Sequence, residues 1–128
     1  MTTEDYIQNL NSEIGSEVKK SVEYFIDLFY DDLPISDKDY VNVIKTIVDK
    51  LMDKKDKSDK TELFEIVSSS LYTDNPKGYV GEKAFYEAIA YMVKTDDPLF
   101  GFILEPFSQH VRLGPLVIGY LKRIETST

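Results

Sequence analysis

The sequence predicts an all-α protein, a single-domain irregular bundle of five or six helices. Three observations carry that prediction. Apolar residues recur three and four positions apart in segment after segment, the period of a half-buried helix. Helix-starting residues stand just before those segments: Ser36, Asp59 and the pair Asp97-Pro98. The links between segments are short and polar, which suits helices packed against their chain neighbours. At 128 residues, the chain is the length of one ordinary domain with a real hydrophobic core.

The first helix is expected from about Thr3 to Tyr30. Ile7, Leu10, Ile14, Val18, Val22, Phe25 and Phe29 form its stripe, and Thr2 or Thr3 caps it with Glu4 and Asp5 at its positive end. Gly15 costs about 1 kcal/mol inside a helix, but the stripe keeps phase across it. Leu33-Pro34 closes the segment, because a residue before proline avoids helical dihedrals. A second helix follows Ser36, with Tyr40, Val41, Ile44, Ile47, Val48, Leu51 and Met52 on one wide face. Residues 53–60 are a mixed-charge loop.

A third helix starts at Asp59, whose spacing to Glu62 resembles a capping box, and turns Leu63, Phe64, Val67 and Leu71 inward. Residues 73–78 have the composition of a turn. The fourth helix runs from Val80 or Gly81 to Lys94. Asp97-Pro98 opens a short apolar helix that Pro106 kinks or ends. Gly114-Pro115 opens the last one, with Lys122 and Arg123 at its negative end. This C-terminal region is apolar nearly all round and is expected to be the most buried, with residues 126–128 frayed.

Composition narrows function. No cysteine is present, so thiolate metal sites, disulfides and cysteine nucleophiles are excluded, and a reducing, cytoplasmic setting is expected. The acidic start Met1-Thr2-Thr3-Glu4-Asp5 does not read as a secretory signal. The stretch Leu99–Leu121 is broken by Glu105, Pro106, His110, Arg112 and Pro115, so no membrane span is expected. A net charge of −8 disfavours direct nucleic-acid binding and suits a basic protein partner. The acidity is concentrated early, with 13 acids against 7 bases in residues 1–56 and 10 against 8 afterwards.

The most suggestive constellation is acidic. Glu23, Asp27 and Asp31 are spaced four apart and share a ridge of the first helix. Asp32, Asp37 and Asp39 follow, and Lys38 is the only base between residues 23 and 39. Like charges at that spacing repel, and acids in a last helical turn oppose the macrodipole, by about 0.3–1 kcal/mol each. Tyr24, Tyr30 and Tyr40 are interleaved, as aromatic anchors are on protein-binding surfaces. A solvated acidic face is the plain alternative.

Other groupings read as structure. Ser108, His110, Glu105 and Arg112 lack the separation and glycine pattern of a nucleophile elbow. Asp53, Asp56 and Asp59 do not match a calcium loop, and lysines separate them. No Glu-x-x-His pair occurs, and Gly78-Tyr79-Val80-Gly81 lacks the rest of a phosphate loop. No catalytic residue, metal or cofactor is expected.

A small, acidic, helical, tyrosine-rich chain is similar to bacterial immunity proteins and phage-type inhibitors. The resemblance is one of composition, with no motif, and implies masking of a basic surface on a nucleic-acid-handling enzyme. The expectation is a non-catalytic protein-binding module using Glu23, Tyr24, Asp27, Tyr30, Asp31, Asp32, Asp37, Asp39 and Tyr40. The alternatives are a self-associating assembly protein, or a ligand binder or enzyme with a pocket near Glu105, His110 and Arg112.

Overall fold

The computed structural model describes residues 1–72 and 76–126. Every regular element among them is helical, so the protein is all-α. In order these are α1 (Thr3–Asn9), α2 (Gly15–Tyr30), α3 (Asp37–Met52), α4 (Lys60–Leu71), the single turn α5 (Pro76–Tyr79) and α6 (Glu82–Val93). A 3₁₀ turn (Pro98–Phe100), the short α7 (Gly101–Leu104), a second 3₁₀ turn (Glu105–Gln109) and α8 (Gly114–Thr126) complete the chain. The expected turn at 73–78 falls partly, and the expected tail 126–128 mostly, outside the described residues. The chain groups into two compact units, Met1–Phe85 and Tyr86–Thr128, divided inside α6.

Several helix starts follow directly from the sequence. Thr2 caps α1 in a capping box: its hydroxyl accepts from Asp5 N–H at 3.2 Å, and the Asp5 carboxylate accepts from Thr2 N–H at 2.9 Å. Ser36 caps α3 by accepting from Asp39 N–H at 3.1 Å. Asp59 caps α4 by accepting from Thr61 and Glu62 N–H at 2.9 and 3.3 Å. Asp97 accepts from Leu99 N–H at 2.8 Å, with Pro98 in the first turn.

The long first helix is not continuous, which corrects the expectation of one element from Thr3 to Tyr30. Ser12 breaks it. Its hydroxyl accepts from Ile14 N–H at 3.0 Å and donates to Glu17 Oε2 at 2.5 Å, offering the backbone a turn in place of the helix ladder. Gly15 then starts α2 as its first residue. The break lets α1 fold back. Tyr6 stacks on Tyr24 at 3.9 Å between centroids, and Thr3 Oγ1 hydrogen-bonds Tyr24 Oη at 2.9 Å.

The core of the first unit comes from α2, α3 and α4. α4 packs against both α2 and α3, and the buried side chains are Phe25, Leu28 and Phe29 of α2, Tyr40, Val43, Ile44, Ile47 and Val48 of α3, and Leu63, Ile66, Val67 and Leu71 of α4. Phe29 and Tyr40 cross edge to face at 6.1 Å. Each such side chain contributes roughly 1.5–3 kcal/mol by leaving water.

The loop between α3 and α4 is held by a charged knot. Lys50 is 8 % exposed, and its Nζ lies 2.8 Å from Asp56 Oδ2. Lys60 Nζ donates to the carbonyls of Lys50 and Asp53, at 2.6 and 3.1 Å, closing the C-terminus of α3. Burial alone would push the Asp56 carboxyl up. The hydrogen bonds from Lys50 and Ser58 outweigh it and hold the group at about 2.

In the second unit, α8 buries Gly114, Val117 and Tyr120. Arg123 reaches back to Asp96 Oδ1 (2.6 Å) and to the Val93 carbonyl (2.8 Å) at the end of α6. The expectation that this region is the most buried is wrong. Phe102 and Val111 are 85 % and 94 % exposed, and Leu116 and Ile118 are also exposed. The richest buried face instead belongs to α3.

Candidate functional site

The acidic candidates fall on α2, the loop after it, and the first turn of α3. The structure separates those with a local structural role from those without one.

Asp32 has a structural role. Its φ is +50°, the left-handed region that aspartate tolerates better than most residues. Leu33 N–H donates to the Leu28 carbonyl at 2.9 Å, so residues 28–33 form a Schellman closure of α2 with Asp32 at its left-handed position. Asp37 and Asp39 occupy the first turn of α3, where negative charge favours the positive helix end. Asp37 also accepts from Gly81 N–H at 2.7 Å, and a Cβ on Gly81 would run into that carboxylate. Nearby, the Tyr79 hydroxyl donates to the Leu33 carbonyl. Burial and then the Asp32 charge push the Tyr79 phenol up to about 12.

Tyr40 is a core residue and is corrected as a surface anchor. It has no exposed area, and its hydroxyl points to the Ser70 carbonyl at 3.4 Å. Tyr24 is half-buried and spends its ring on Tyr6 and its hydroxyl on Thr3.

What remains is a smaller ridge. Glu23, Asp27 and Asp31 are exposed and form no ion pair among the described residues. Asp31 is the C-cap of α2, so its charge sits at the negative helix end. Tyr30 is 61 % exposed beside them. Its hydroxyl donates to Glu65 Oε1 of α4 at 2.7 Å, and that bond pushes the phenol upward. Glu65 was not anticipated from sequence, since its pairing depends on how α2 and α4 meet. The arrangement presents an aromatic plane with carboxylates on two helices, a surface suited to ammonium and guanidinium groups.

The residues near the single histidine have other roles. His110 Nδ1 accepts from the N–H groups of Arg112 and Leu113, both at 3.2 Å, shaping the turn into α8. Its ring meets Tyr86 edge to face at 5.8 Å. Glu105 and Arg112 are exposed. Among the described residues no group of three or more His, Cys, Asp or Glu side chains is placed to hold a metal ion. Among them, too, no helix is long and apolar enough to cross a membrane. Compared with protein families, curated proteins and solved structures, the chain matches none.

Proposed function

We propose that this chain is a small non-catalytic binding module of the cytoplasm that docks a basic protein through the exposed ridge Glu23, Asp27, Tyr30 and Asp31. One observation carries the reading: Asp27 and Asp31 stand in the last turn and at the C-cap of α2, where they oppose the helix dipole, and no ion pair among the described residues offsets them. Stability alone favours lysine or arginine there. Asp32, Asp37, Asp39, Tyr24 and Tyr40 belong to the scaffold that presents the ridge. A basic face on a nucleic-acid-handling enzyme has matching charge, and inhibition by masking is the corresponding activity.

Capture from the native host with wild type and with the Asp27→Lys/Asp31→Lys double variant tests this. A basic protein retained by wild type and lost with the variant supports the ridge. An identical set of captured proteins contradicts it.

A second reading, self-association, is favoured by the exposure of Phe102 and Val111. Light scattering across a dilution series decides it, and a monomer at every concentration removes it.

A further inference from the structure

Little secures α1 to the rest of the first unit. It has seven residues, none of them buried. A helix that short is marginal in water without tertiary support. Its support includes one side chain of α2. The Tyr6 ring lies on the Tyr24 ring, with 3.9 Å between centroids and 11° between planes, and the Thr3 and Tyr24 hydroxyls share a hydrogen bond of 2.9 Å. Thr3, Tyr6 and Ile7 are half-buried, and full burial begins only at Leu10, where the chain leaves α1. The segment Thr3–Asn9 can therefore lift while Leu10 stays in the core, at the cost of a ring stack, a hydrogen bond and partial apolar cover.

What α1 covers is in line with the acidic ridge. Tyr24 precedes Asp27 by three positions and Asp31 by seven, so the three share one stripe of α2, and both aspartates are exposed. Lys20, one turn before Tyr24, bounds that stripe on its other side. The Tyr24 ring also meets Phe25 edge to face at 5.0 Å, and Phe25 is fully buried. That contact does not depend on α1, so Tyr24 keeps its place when α1 lifts. The stripe then presents an aromatic face followed by two carboxylates.

Charge favours exchange of the cover for a cation. Residues Thr3–Asn9 hold Glu4 and Asp5 and no base. Closure sets that charge on a helix that already carries the ridge, in a chain of net charge −8. A cation over Tyr24 offsets it.

We infer that α1 is a displaceable cover, and that an arginine of the partner takes the place of Tyr6 on the face of Tyr24, beside Asp27 and Asp31. A guanidinium is planar like the ring it replaces. It stacks on aromatic faces and forks onto carboxylates, which an ammonium does not. The inference rests on the docking reading of the ridge and adds a gate to it: Tyr24 is scaffold while α1 is closed and an anchor once it opens.

Native-state hydrogen exchange, and NMR titration with hexa-arginine and hexa-lysine at low salt, test this on the full chain. The proteins are wild type, Tyr6→Phe, Tyr6→Ala and Asp27→Lys/Asp31→Lys. In wild type the amides of Ile7 to Asn9 should exchange at least roughly a hundredfold faster than the core amides of α3. Tyr6→Ala should speed them roughly fivefold more and leave α3 unchanged, while Tyr6→Phe, which keeps the stack, behaves as wild type. Hexa-arginine should bind Tyr6→Ala tighter by the same factor, since both effects report the open population, and hexa-lysine should gain less. Exchange of α1 no faster than that of α3 overturns the cover. So does hexa-arginine binding that is absent from both, or no tighter for Tyr6→Ala than for wild type. An equal gain for hexa-lysine removes the arginine stack. The two readings fail separately. A gain with Tyr6→Ala while Asp27→Lys/Asp31→Lys binds as tightly as wild type sinks the ridge and leaves the cover. Loss with the ridge variant and no gain with Tyr6→Ala does the reverse.

Discussion

Replacing Asp56 by asparagine should destabilise the protein far more than an ordinary loop substitution. The Lys50 and Asp56 side chains are 9 % and 13 % exposed, with Nζ and Oδ2 at 2.8 Å. Removing one member strands the other. Measured losses for breaking a buried pair are about 3–5 kcal/mol, and the edge position of this one places the expectation near 3. The carboxyl's position gives a second route to the size. A group of ordinary value 3.8 held at about 2 contributes roughly 2 kcal/mol above both values. Because the folded value is depressed, this stability is present above about pH 4 and is lost as pH falls towards 2. Urea unfolding followed by circular dichroism, from pH 7 down to pH 2, measures both. The variant should lose about 2–3 kcal/mol at pH 7 by the same buried-pair reasoning, that deficit should shrink as pH falls towards 2, and Lys50→Met/Asp56→Leu should recover most of it. A loss below about 0.5 kcal/mol, typical of exposed pairs, would refute the knot as a stabilising element.

Three further outcomes follow from the geometry. Asp32→Gly should raise stability by about 1 kcal/mol in thermal melts by relieving the left-handed residue, while Asp32→Val should lower it. Ser21 is fully buried and its hydroxyl has no partner among the described residues, so Ser21→Ala should leave stability equal or raise it by up to about 1 kcal/mol in urea titrations. Gly114→Ala should cost about 1–3 kcal/mol by chemical denaturation, because its Cβ would sit 2.6 Å from the Ser108 carbonyl oxygen, a backbone atom that cannot swing aside.

Much of this fold was legible in residue types. Ser36, Asp59 and Asp97 announce helix starts because a short polar side chain satisfies amides in its own neighbourhood. Pro106 marks where α7 gives way to a 3₁₀ turn. The break at residues 10–14 was not legible from periodicity. Leu10 and Ile14 keep the stripe in phase, yet Leu10 is fully buried and Ile14 is 56 % exposed. A continuous helix and one folded back on itself share that pattern, and Ser12 decides between them. Apolar composition around Leu99–Leu121 also misled, because it measures preference for burial and not the surface available to cover Phe102 and Val111.

The site was partly legible for the same reasons. The Ser36 cap already implied that Asp37 and Asp39 lie at a positive helix end, which accounts for them without a partner. The bond from Gly81 to Asp37 spans 44 positions and could not be read locally. Lys50 was readable in principle. It follows Val43 and Ile47 at spacings of four and three, on the buried stripe of α3, where a lysine is out of place.

The proposed docking of a basic protein on Glu23, Asp27, Tyr30 and Asp31 has a kinetic signature. The most direct measurement is the association rate of the captured partner with wild type and with Asp27→Lys/Asp31→Lys, by stopped flow across a salt series. The rate should fall steeply with salt for wild type and be at least roughly tenfold slower at low salt for the variant. Equal rates with the same salt dependence would contradict it.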